Sequence, residues 1–207
     1  MLLSDVDASE LAQVQIAPRR FDAVTIGLHW LTVMLIVGLF ASIWSLQLVE
    51  PDAVAAPLLT IHRSLGSVMW GVALCRLGWR LTRAYLPPFP ATMGKAQQWA
   101  ARLSEYGLYA LLLIQPVTGL AQSLTRGKPF AVLGLEAPAV MERSNHLTSL
   151  FHDIHENMAW ALLGLIALHV LAAMFHRIIL KDGVLQSMLP WKPVSAGRSV
   201  RQRKPGE

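Results

Sequence analysis

Charged residues are scarce in this 207-residue chain. Asp, Glu, Lys and Arg make up 15% of it, where a soluble domain carries about 25%. Hydrophobic residues make up 54%, and the mean hydropathy is +0.43. These values exclude an ordinary water-soluble globule and indicate a membrane protein. Cysteine is almost absent. Cys75 stands alone inside an apolar run, which excludes an internal disulfide and a Cys-x-x-Cys-His attachment site. No internal repeat and no low-complexity tract is present. Residues 1–18 hold Asp5, Asp7 and Glu10 without an apolar core before a cleavage site. They are expected to form a mobile cytoplasmic tail rather than a signal peptide. The pI of about 9.8 raises nucleic acid as a partner. The basic residues, however, flank apolar runs instead of lining one polar face, so membrane lipid is the expected partner and nucleic acid is not.

What the chain does have is four apolar stretches, at about 26–47, 60–81, 103–124 and 156–179, each near the roughly 20 residues that cross a bilayer. The links between them are "LVEPDAVAAP", the proline-rich "RAYLPPFPATMGK" and a long segment near 125–150, where "TRGKPFAVLGLEAPAV" is expected to form a partly buried cap. Gln115-Pro116 is expected to kink the third span. Of the 18 Lys and Arg, all but Arg63, Arg126, Lys128 and Arg143 fall on one side of the spans. The positive-inside rule therefore places both termini in the cytoplasm. The expected fold is all-α: a transmembrane up-down-up-down four-helix bundle over 19–190, followed by a basic cytoplasmic tail, 191–207, near anionic lipid.

Seven histidines are present: His29, His62, His146, His152, His155, His169 and His176. In "HENMAWALLGLIALH", His155 and His169 are fourteen residues apart. That is within about 40° of four whole turns, so they share a face about 21 Å apart along the helix. The distance is too great for one metal ion and suits two sites stacked across a bilayer. His62, near the outer end of the second span, matches His155 in level. His29, near the inner end of the first, matches His169. Two imidazoles per level from facing helices suggest two haems, each with bis-histidine ligation that leaves no open iron position and favours electron transfer. Gly66, Gly27 and Gly164 lie close to these histidines and would leave room for a flat ring. Arg63 or Arg20 would pair with a haem propionate. A lone membrane histidine can also simply hydrogen-bond to a neighbouring helix, and glycines also serve close helix packing. His176 shares the face of His169 and competes with it as the inner ligand. His146 and His152 fall in or beside the outer loop and are expected to be solvated. Trp30, Trp44, Trp70, Trp79 and Trp160 are expected mostly in interfacial belts.

Four segments together carry a resemblance: "LHWLTVMLIVGLF", "IHRSLGSVMWGVALCRLGWRL", "LYALLLIQPVTGLAQSLTRGKPF" and "FHDIHENMAWALLGLIALHVLAAMFHRIILKDGVLQSMLP". Over about 19–192 the chain resembles the bacterial cytochrome b-561 family. The resemblance implies a multi-pass protein of the bacterial inner membrane with two haems b. By position, His29 and His169 look like the inner axial pair, and His62 and His155 like the outer one. It implies electron transfer between a periplasmic donor and the quinone pool. Some members are similar to superoxide:ubiquinone oxidoreductases, for which superoxide is the donor. An anionic donor favours a cationic outer entrance, for which Arg63, Arg126, Lys128 and Arg143 are candidates. Glu136, Glu142, Asp153 and Glu156 on the same side weaken a positive funnel.

Three other readings of the same residues are open. One is a haem-b membrane anchor subunit of a dehydrogenase or hydrogenase. Another is a membrane transporter or non-haem metal protein using the histidines as ligands. The last is a purely structural bundle.

Overall fold

A computed structural model of the chain describes residues 20–46, 48, 51–90 and 93–190. The segments expected as tails, 1–18 and 191–207, lie outside the described residues. Four helices dominate: α1 (Ala23–Ser45), α2 (Pro51–Thr82), α3 (Lys95–Thr125) and α4 (Asn145–Phe175). Each is long and apolar enough to cross a membrane. The last three begin well before the apolar stretches expected from the sequence. Hydropathy finds only the part that suits lipid, whereas residues such as Lys95, Ala96, Gln97 and Gln98 favour helix in water as well. Side chains fix two of the starts. Asp22 accepts from Thr25 N at 2.9 Å and Thr25 Oγ1 at 2.7 Å before α1. Ser144 caps α4 by accepting from Leu147 N.

α1 packs on α2, α2 on α3, and α3 on α4. The core is a small apolar cluster of Leu35, Met69, Ala73, Leu112 and Leu162, so every helix contributes to it. Large apolar residues such as Met34, Val37, Leu168 and Leu171 face outward. In water such a surface would aggregate; in a bilayer it is an ordinary lipid-facing surface. Helix α3 runs through Pro116. The indole of Trp70 donates to the carbonyl of Leu113 at 3.1 Å, which places this tryptophan at mid-helix rather than in a belt.

The long link holds a structure that the sequence reading missed. Strands β1 (Phe130–Val132) and β2 (Leu135–Ala137) pair antiparallel, with Val132 opposite Leu135. The connecting Leu133 and Gly134 have φ of 52° and 77°, as a tight primed hairpin turn requires. Leucine rarely adopts this conformation. Here Leu133 N donates to Ser64 Oγ on α2 at 2.8 Å, which anchors the turn.

At the other end α4 passes into a π-helical turn, His176–Leu180, and then a 3-10 turn, Leu185–Met188. This segment closes onto the start of α1. Arg20 donates to the carbonyl of Leu189 at 2.5 Å, and Trp30 Nε1 donates to that of Met188 at 2.9 Å. Asp22 also accepts from Trp79 Nε1 at 3.0 Å and from Tyr85 N at 3.2 Å, tying α1 to the end of α2.

Candidate functional site

The structure brings the four histidines together in the two expected pairs. The rings of His62 on α2 and His155 on α4 are 6.3 Å apart between centroids. Those of His29 on α1 and His169 on α4 are also 6.3 Å apart. Three of the four rings are half-buried, and His169 is exposed. Along α4, Leu162 lies seven residues from each of its histidines and is 5% exposed. The apolar cluster around Leu162 thus separates the two levels.

The two members of the His62–His155 pair have matching surroundings. His62 Nδ1 lies 3.2 Å from the carbonyl of Leu39 and 3.1 Å from Ser42 Oγ. Ser42 Oγ donates to the same carbonyl at 2.7 Å. His155 Nδ1 lies 3.1 Å from the carbonyl of Gln115 and 3.0 Å from Thr118 Oγ1. Thr118 Oγ1 donates to that carbonyl at 2.7 Å. In both cases a hydroxyl three residues after a carbonyl closes a triangle with the imidazole. A carbonyl only accepts, so Nδ1 carries the proton in each ring and the lone pair sits on Nε2. Gly119 completes this pocket. A Cβ on it would lie 2.9 Å from Cε1 of His155, so glycine is needed for the ring to lie against α3.

The His29–His169 pair is built differently. Arg76 NH2 donates to His29 Nδ1 at 3.2 Å. No hydrogen bond among the described residues engages His169.

The other expected residues fall as follows. Arg63 turns from His62 toward the hairpin, with Nε on Ser123 Oγ at 3.3 Å and the guanidinium over Phe130 at 5.3 Å. At Gly66 an added Cβ would meet only Leu39 Cδ2 at 4.0 Å, and at Gly27 and Gly164 nothing within 4 Å. None of these three is forced by protein packing. His176 is buried, 7% exposed, and its Nδ1 is held by Asp182 at 2.5 Å. Among the described residues its ring lies against Phe175 and pairs with neither His29 nor His169. His146 and His152 are exposed. His152 pairs loosely with Glu156 at 3.6 Å. On the same side a shallow cleft of about 330 Å³ is lined by Arg126, Arg143, Gln122, Asn145 and His152, among others. Arg126 and Arg143 thus line one cleft.

Sequence reasoning passed over Ser42, Thr118, Gly119 and Arg76. Three of them left a signal. A hydroxyl inside an apolar span needs an acceptor, and Arg76 is fourteen residues beyond His62, the same spacing that separates His155 from His169.

The model of the prokaryotic cytochrome b561 family matches residues 20–191. Three relatives agree along most of their length. Cytochrome b561 homolog 1 of Escherichia coli (strain K12) is 32% identical, over 83% of this chain and 97% of the relative. Cytochrome b561 homolog 2 of the same organism is 28% identical, over 83% and 92%. A protein of Yersinia pestis named probable superoxide oxidase CybB is 27% identical, over 84% and 98%.

Proposed function

We propose a function from one premise: the chain belongs to the prokaryotic cytochrome b561 family, and is thus a haem-b membrane protein of electron transport with four helices able to span the bilayer. In our reading residues 19–190 form the cytochrome domain, an up-down-up-down bundle in the bacterial inner membrane with both termini cytoplasmic. The distribution of Lys and Arg supports this orientation. His62 and His155 hold an outer haem b, and His29 and His169 an inner one. The protein passes single electrons between a periplasmic donor and the quinone pool.

The donor set fits haem. A metal–imidazole bond, judged by zinc, runs about 2.0–2.1 Å, so two rings sharing one ion stand roughly 6 Å apart between centres. Both pairs measure 6.3 Å. Aromatic rings in direct contact fall in the same range, so the distance does not decide alone. The nitrogens do. No hydrogen bond among the described residues engages Nε2 of any of the four, while Nδ1 of both outer rings is tied to a carbonyl. This is how a ligating histidine is fixed in tautomer and orientation. Among the described residues no three His, Cys, Asp or Glu gather to hold a metal ion by themselves. Haem bound at the pairs supplies reversible one-electron chemistry at iron.

The chain's own part is positional. Helix α4 presents both levels on one face. The Ser42 and Thr118 triangles lock the outer rings. The Leu162 cluster keeps water from the space between the levels, lowering the local dielectric. At the outer surface Arg126 and Arg143 suit an anionic donor, and superoxide fits that chemistry. One relative bears the name probable superoxide oxidase.

The observation that carries this reading is the recurrence of one His–His separation at two levels of α4. Its test is a reduced-minus-oxidised visible spectrum of the purified protein with haem quantification. Two haems b per chain are expected, and a colourless protein refutes the reading. His62→Ala and His155→Ala should each remove one haem and leave the other. Retention of both would sink the pairing.

A further inference from the structure

Helix α2 repeats the arrangement of α4. His62 and Arg76 are fourteen residues apart, so they share a face about 21 Å apart along the axis, with Met69 midway in the core. At the inner level α2 therefore offers a guanidinium where α4 offers an imidazole. Arg76 donates to His29 Nδ1 at 3.2 Å and lies over the ring of Tyr109 at 5.3 Å. Its Nε is buried without a partner. Glu105, the carboxylate of this region, is engaged by Arg80 at 2.8 Å.

We propose that Arg76 is the anion anchor of the inner haem: it pairs with a haem carboxylate and raises the reduction potential at that level. The proposal rests on the reading that His29 and His169 hold haem. A guanidinium only donates. While it donates to His29 Nδ1, a neutral ring must carry its proton on Nε2. A ring that ligates iron through Nε2 carries its proton on Nδ1 and has nothing to offer Arg76. Ligation by His29 and the Arg76–His29 hydrogen bond therefore exclude each other. When His29 ligates, NH2 joins Nε as a donor without an acceptor, on a cation in a poorly solvated place. A haem carboxylate answers both needs through the planar fork that guanidinium offers. Arg20, the other candidate, is occupied on the carbonyl of Leu189. A fixed cation next to iron disfavours the more positive oxidised state, and the low dielectric of the core enlarges the effect.

The test compares wild type, R76Q and R76K by haem quantification and spectroelectrochemical titration, with H169A, which keeps only the outer haem, identifying which wave is which. R76Q should lower the inner reduction equilibrium by tenfold or more, about 59 mV for a one-electron couple, and leave the outer wave in place. R76K, which keeps the charge, should restore most of the shift. Loss of the inner haem in R76Q alone, with R76K retaining it, also supports the anchor. Loss in both variants overturns the proposal, as does an unchanged inner potential in R76Q. A wild type from which H169A removes no haem overturns the functional reading itself, and is seen before any Arg76 variant is made.

Discussion

Gly119 on α3 and the ring of His155 on α4 are in direct contact, with no space for a methyl group between them: a Cβ there would stand 2.9 Å from Cε1 and 3.3 Å from Nδ1 of the ring. The neighbour is not the tip of a flexible chain. The Gln115 carbonyl and Thr118 hold His155 from the same helix, so the ring cannot retreat without losing its hydrogen bonds. Gly119→Ala is therefore expected to displace His155 and halve the haem content. Leu162 and the inner pair are remote from the change, so the inner haem should stay. Haem quantification of the purified variant decides this. Full retention would mean that the ring has freedom the packing does not suggest.

The matching triangles predict a matching response. Ser42→Ala and Thr118→Ala each remove one hydroxyl from an outer imidazole while leaving its carbonyl acceptor. Groups that orient a metal-bound histidine typically contribute roughly 10–100-fold in affinity. Each variant should therefore release its outer haem more readily, by about tenfold or more, and the double variant more readily still. Haem transfer to excess apomyoglobin measures the release. Equal rates in wild type and both variants would assign the hydroxyls to helix packing alone.

Much of this site was legible in sequence because it is written along single helices. Fourteen residues nearly close four turns, so His155 and His169 declare a shared face without any knowledge of the fold. The same arithmetic applied to His62 leads to Arg76, which was not considered. The carbonyls of Leu39 and Gln115 were beyond reach, since every residue has a carbonyl and only tertiary packing decides which ones meet a ring. Gly119 stood within the motif that carried the family resemblance, yet nothing local distinguished it from Gly66 or Gly164. His169, not His176, faces His29, and His176 is held by Asp182, six residues further on, whose return depends on the left-handed Lys181 and Gly183. The hairpin went unseen because its strands are three residues long, too short for an alternating pattern to show.

The end of the bundle that holds Asp22 and Asp182 should loosen in acid. Burial opposes ionisation of Asp22, but hydrogen bonds from Thr25, Trp79 and Tyr85 outweigh it and hold its carboxyl below the usual carboxylate range. Asp182 is likewise held down, with the His176 and Val184 contacts outweighing burial. A carboxyl lowered on folding contributes stability that is complete above its unfolded pKa, about 3.9, and is lost as pH falls through the lower folded value. The Trp79–Asp22 contact should therefore persist down to roughly pH 4 and open below it. Asp22→Asn should be less stable at neutral pH and respond less to acid. Thermal unfolding across pH 3–7, followed by tryptophan fluorescence, checks both. Identical acid profiles in wild type and variant would remove Asp22 from the account.

Leu162 tests whether the core and the two levels are separable. It is 5% exposed and packs with Leu35, Met69, Ala73 and Leu112 between the histidine pairs. It touches neither pair through a hydrogen bond, so its contribution is packing. Truncating a buried leucine typically costs about 2–5 kcal/mol, the spread reflecting how far the surroundings collapse. Leu162→Ala should therefore lower the denaturation midpoint while the folded variant keeps both haems at unchanged stoichiometry. If the variant instead lost one haem without losing stability, Leu162 would be acting on a single site. The apolar cluster would then be part of that site and not the partition between the two.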